Sequence, residues 1–129
     1  EVNLTGGGVN AAGGRVELGA VAGTGIVGLS LDGNNLDSNN LDGNNLDGNN
    51  LDGNNLDGNN LSLSFPTTLD RADISLTNGA TVNASGEGGG SIQIWGRRIF
   101  MNGGSQVAAF TQGAKPGGSL IVSASESLE

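Results

Sequence analysis

The chain has 129 residues, with 25 glycines, three phenylalanines, one tryptophan, no tyrosine, histidine or cysteine, and a formal charge of −8. Without Cys or His, it has no thiol nucleophile, no Ser-His-Asp triad, no thiolate or imidazole zinc site and no disulfide framework. So few large side chains cannot fill a thick core, which points to an all-β chain of short strands and tight turns in a thin solenoid, and the negative charge argues against nucleic acid as a partner.

Residues 1–18 alternate at Val2/Leu4, turn at Gly6 to Gly8, resume at Val9, turn at Gly13-Gly14 and alternate again at Val16/Leu18. Each pair reads as a short strand with one face inward, and together they make a first solenoid coil.

Residues 19–72 form a long excursion between coils. Its middle, Leu31 to Asn60, is six consecutive five-residue units, LDGNN with one LDSNN, in which only Ser38 breaks the identity. A helix would advance about 500° per unit and scatter the leucines around its axis. A flat strand would send successive leucines to opposite faces, because five is odd. The chain therefore turns between leucines, which Asp-Gly and Asn-Asn favour. Two forms satisfy the period: a square coil with one Leu per side, and a polar loop. Burying the leucines returns less free energy than ordering the tract's backbone costs, so the tract depends on its flanks as a template.

Residues 73–129 repeat the opening pattern twice. Ile74-Ser75-Leu76, Val82 and Ile92/Ile94 form one set; Ile99-Phe100-Met101, Val107 and Leu120/Val122 form the next. The offset is 25 residues for Ile74 to Ile99, Leu76 to Met101 and Val82 to Val107, and 28 for Ile92 to Leu120 and Ile94 to Val122. A period in the twenties, with loops absorbing insertions, is that of a parallel β-solenoid.

The wording GGRVELGAVAG, LSLSFP, RADISLTNGATVNASG, GGSIQI and GGSLIVSASESLE resembles the passenger region of filamentous-haemagglutinin-like exoproteins exported by two-partner secretion. The resemblance covers the two flanks. It implies a right-handed parallel β-helix, passage of the parent protein through a dedicated outer-membrane transporter, and adhesion at the cell surface to an extracellular partner such as a glycan. The family's amino-terminal secretion domain, with its Asn-Pro-Asn-Gly type motif, has no counterpart in this sequence, so no secretion residues carry over. Glu1 in place of an initiator Met fits the expectation of a processed or excised fragment. No apolar run approaches the length of a membrane span, so no membrane insertion is expected.

The tract is similar to a second family, the pentapeptide-repeat proteins, whose coils centre a Leu or Phe on each face. Leu36, Leu41, Leu46, Leu51, Leu56 and Leu61 match that centre. Two residues before it, where the family favours a small inward residue, stand Asn34, Asn39, Asn44, Asn49, Asn54 and Asn59. Inward stacking would require those amides to bond one another.

Candidate chemistry is sparse. Asp32, Asp37, Asp42, Asp47, Asp52 and Asp57 offer carboxylates beside Asn oxygens, the ligands hard cations take, so Ca²⁺ is the one cofactor these residue types suggest. The GGxGxD spacing of calcium nonapeptides is missing, and solvated turn residues account for the same pattern. Stacked in a coil, these Asp would repel one another unless cations screened them. Arg97 and Arg98 beside Trp95 suit an anionic or glycan contact, or simply an outward strand corner. Asp70 and Asp73 with Arg71 are the nearest approach to a catalytic acid pair, and a turn into the Ile74 strand explains them without catalysis. The expectation is a non-catalytic structural and adhesive segment of a secreted or cell-surface fibre protein. A calcium-responsive module and an acidic scaffold for a basic protein are the alternatives.

Overall fold

A computed structural model describes residues 1–31 and 61–129. The six repeat-tract aspartates and the coil-or-loop question lie outside these residues. The described chain is all-β: ten strands, no helix, and mostly parallel pairing.

Three strand triplets follow one another. The first is β1 (Val2–Thr5), β2 (Gly8–Asn10) and β3 (Arg15–Gly19). Next come β4 (Gly28–Leu31) and β5 (Leu61–Ser64), which pair antiparallel with each other. The second triplet is β6 (Ile74–Thr77), β7 (Thr81–Asn83) and the first half of β8 (Ser91–Met101). The third comprises the end of β8, β9 (Gln106–Ala108) and the start of β10 (Leu120–Leu128).

Each triplet pairs in parallel with the next. Val2 and Leu4 stand opposite Ile74 and Leu76, and these stand opposite Ile99 and Met101. Val9, Val82 and Val107 share one register, while Val16, Ile92 and Leu120 share another. These are the positions that recur at offsets of 25 and 28 in the sequence. Period-two alternation puts all of them on one face of their sheets. The middle triplet has a neighbour on either side, so Ile74, Leu76, Val82 and Ile94 are fully buried. Val2, Leu4 and Val9 above, and Val107 and Val122 below, are only partly buried. Leu120, an inward position in the last triplet, is 50% exposed.

Two details of the strands are not evident from the sequence. β8 runs unbroken through Gly96, so the inward parity of Ile92 and Ile94 changes before Ile99 and Met101 without a loop. β10 likewise continues through SASES to Leu128, with an irregularity between Ala124 and Ser127 that brings Leu128 opposite Ile99.

The corners are built from small residues. Asn78 (φ 55°) and Gly79 (φ 74°) occupy the centre of a tight turn closed by Ala80 N–H on Thr77 O at 3.2 Å. Asn is the residue other than Gly that takes positive φ at least cost. Gly14, Gly90 and Gly118 form a column before the third strand of each triplet. A Cβ on Gly90 would run into the carbonyl oxygens of Gly14 and Ala84.

The excursion is closed at its base. Ala72 N–H donates to Ala20 O at 2.9 Å, Ala22 N–H donates to Asp70 O at 2.8 Å, and Val21 bridges Arg71. Departing and returning arms thus meet beside β3 and β6.

Candidate functional site

The sequence singles out Trp95, Arg97 and Arg98, and separately Asp70, Arg71 and Asp73. The structure regroups them into two clusters at the base of the excursion.

The first cluster covers Trp95. Its side chain lies on the outer face of β8, opposite Gly19 in register, yet is only 6% exposed. The Phe65 ring stacks on it at 4.7 Å between centroids and 14° between planes. Phe65 occupies the place where a Cβ of Gly19 would stand, so the missing side chain at Gly19 makes the stack possible. On the other side the Arg71 guanidinium lies 4.2 Å from the Trp95 ring centroid. Arg71 Nη1 also donates to Ser123 Oγ at 3.0 Å and Ser123 O at 3.2 Å. The cation over Trp95 is therefore Arg71, and the ring serves to hold the returning arm, since an aromatic face attracts a guanidinium and buries large area. Glu17 fastens the same arm further out: its Oε1 accepts from Arg15 Nε at 2.6 Å and its Oε2 from Leu63 N–H.

Trp95 is the chain's single tryptophan, so its emission reports this cluster directly. Phe65→Ala is expected to red-shift Trp95 fluorescence, raise its quenching by acrylamide, and remove about 1 kcal/mol beyond the lost area burial. Unchanged emission and quenching would show that the ring is not the cover.

The second cluster is ionic. Arg97 grips Asp73 with two parallel bonds, Nε to Oδ1 at 2.8 Å and Nη2 to Oδ2 at 2.9 Å. Arg98 adds Nη2 to Oδ2 at 2.7 Å and its backbone N–H to Oδ1 at 3.3 Å. Hydrogen bonds from Arg97, then Arg98, hold the Asp73 carboxyl well below the usual carboxylate range. Both guanidiniums are pushed up, each chiefly by the hydrogen bond to Asp73. Glu126 stands 3.9 Å from Arg97 Nη1. A carboxylate saturated by two arginines is a poor proton donor or acceptor near neutrality, so its role here is to join the start of β6 to β8. An unfolded Asp titrates near about 3.9, and a depressed folded pKa stabilises the fold above that value. The advantage of the native chain over Asp73→Asn is therefore expected to be full at neutral pH and to shrink as pH falls below about 4. Urea unfolding of both proteins at neutral and acid pH checks this; an advantage that grows on acidification would contradict it.

Sequence reading missed Phe65 and Ser123, which come to Trp95 through tertiary contact. Asp73 and Arg98 had a visible signal: they are 25 residues apart, the spacing that separates Ile74 from Ile99. Among the described residues no group of three or more acidic side chains is arranged to hold a metal ion. Compared with known proteins, the chain matches no family model, no curated protein and no solved structure.

Proposed function

We propose that the three triplets are successive coils of one right-handed parallel β-helix, with 1–18 as the first coil, 19–72 as an insertion and 73–129 as the continuing coils. On this reading the chain is a non-catalytic, adhesive segment of a secreted or cell-surface bacterial fibre protein of the filamentous-haemagglutinin-like kind. The parent reaches the surface through an outer-membrane transporter, and this segment meets an extracellular partner.

The observation that carries the reading is the shared parallel register of the three triplets, Val2–Ile74–Ile99, Val9–Val82–Val107 and Val16–Ile92–Leu120. A thin stack of this kind extends by adding coils and offers long outer faces for contact, which is how repeat architectures build binding surfaces. The clusters at Trp95 and Asp73 support a structural role too, because both bind one part of the chain to another.

Beads coated with the protein are expected to adhere to cultured epithelial cells more than beads coated with the same protein unfolded by Leu76→Ala. Equal adhesion by the two would sink the adhesive reading. A crystal structure with left-handed coils, or with the triplets in separate sheets of two domains, would sink the β-helix.

A further inference from the structure

We infer that the outer face of the sheet β2-β7-β9 carries a binding groove for a neutral oligosaccharide, centred on Phe110. This deepens the adhesive reading, on which it rests for its biological sense, by naming the chemistry of the partner.

The groove has a volume of about 250 Å³, with Thr81, Asn83, Gln106, Ala108, Phe110 and Gln112 as its principal lining. Its chemistry is uniform: hydroxyls, carboxamides, one aromatic ring and no charged side chain. Carboxamides both donate and accept, as sugar hydroxyls do, and so can bond a hydroxyl in either sense. An aromatic face carries negative quadrupole and attracts the polarised C–H groups of a pyranose. Absence of charge disfavours phosphate, sulfate and carboxylate ligands, for which a site would supply Arg or Lys.

The groove is also rigidly framed. Phe110 N–H donates to Ser85 Oγ at 2.9 Å, Gly86 N–H donates to Phe110 O at 3.1 Å, and Gln112 N–H donates to Gly86 O at 2.8 Å. The backbone of Phe110 is thus fixed while its side chain stays 70% exposed. Asn83 is held as well, its Oδ1 accepting from Ser85 N–H at 2.9 Å. A ligand meeting this face loses little free energy to ordering the protein. Ala108 is the small residue beside Asn83 in register and leaves the depression between Gln106 and Phe110. The rows continue across the sheet: Asn10 stands opposite Asn83, and Thr81 opposite Gln106. Strands lie about 4.8 Å apart, close to the length of one pyranose in a linear chain, so a glycan running across the strands meets an equivalent polar row at each unit.

Saturation-transfer NMR with neutral tetrasaccharides of glucose, galactose, mannose and N-acetylglucosamine, and with a heparin tetrasaccharide as the anionic control, tests the groove. At least one neutral tetrasaccharide is expected to receive saturation and the heparin fragment none. Phe110→Ala and Gln106→Ala are each expected to weaken binding roughly tenfold, equivalent to about 1.4 kcal/mol, with unchanged circular dichroism. Transfer to none of the neutral sugars, binding of the heparin fragment alone, or binding indifferent to both substitutions would overturn the proposal. Cell adhesion retained by Phe110→Ala in the absence of any sugar signal would sink the groove and leave the adhesive reading standing. A sugar signal without adhesion of the native protein would do the reverse.

Discussion

Gly90→Ala is expected to destabilise the fold by about 3 kcal/mol, the upper part of the range for overpacked sites, whereas Gly88→Ala two residues away should be nearly neutral. The contrast follows from what each new methyl group would meet. At Gly90 the obstacles are backbone oxygens of Gly14 and Ala84, which are themselves committed as acceptors from Ser91 and Gly90 N–H at 2.9 and 2.8 Å. Relief would require moving adjacent triplets apart. At Gly88 the nearest atom is Lys115 Cβ at 3.4 Å, an ordinary contact with a flexible side chain. Urea unfolding of the two variants side by side measures the difference, and equal midpoints would show that the corner column is not tightly packed.

Leu76→Ala is expected to cost about 2–5 kcal/mol, as for other fully buried leucines. Leu120→Ala, which removes the same atoms from a position of the same inward parity, should cost less than about 1.5 kcal/mol. Leu76 lies between Leu4 and Met101 and is 0% exposed, while Leu120 has Ile92 on one side only and is 50% exposed. Thermal melts of both variants decide the matter. A Leu120 variant as damaged as the Leu76 variant would mean that something covers the open end in solution.

The strand register was legible in the sequence because alternation and offset act together. Val, Ile and Leu at every second position fix which face is inward, and the offsets of 25 and 28 fix which residues become neighbours. The continuity of β8 through Gly96 was not legible, because a glycine between two polar-flanked runs reads as punctuation. Here it lies close to Ile74, where a Cβ would be only 3.1 Å from the Ile74 side chain, and stays within the strand. The environment of Trp95 was hidden for a different reason. Its cover, Phe65, belongs to an arm that local pattern cannot place, and Gly19 gives no sign in sequence that a ring will lie against it. The Asp73–Arg97–Arg98 cluster falls between these cases: the period brings the residues together, but only the structure shows that both arginines choose the same carboxylate.

The closed base of the excursion has a consequence for how this chain can change. Ala20, Ala22, Asp70 and Ala72 bring the departing and returning arms together through backbone bonds, so the register of Val2 on Ile74 is set at that junction. Loop-closure entropy rises only logarithmically with length, by about 0.6 kcal/mol per doubling. Gain or loss of five-residue units by copying errors between Leu31 and Asn60 therefore leaves the neighbouring ladders unaltered. Repeat number is a heritable variable that selection can tune independently of the core.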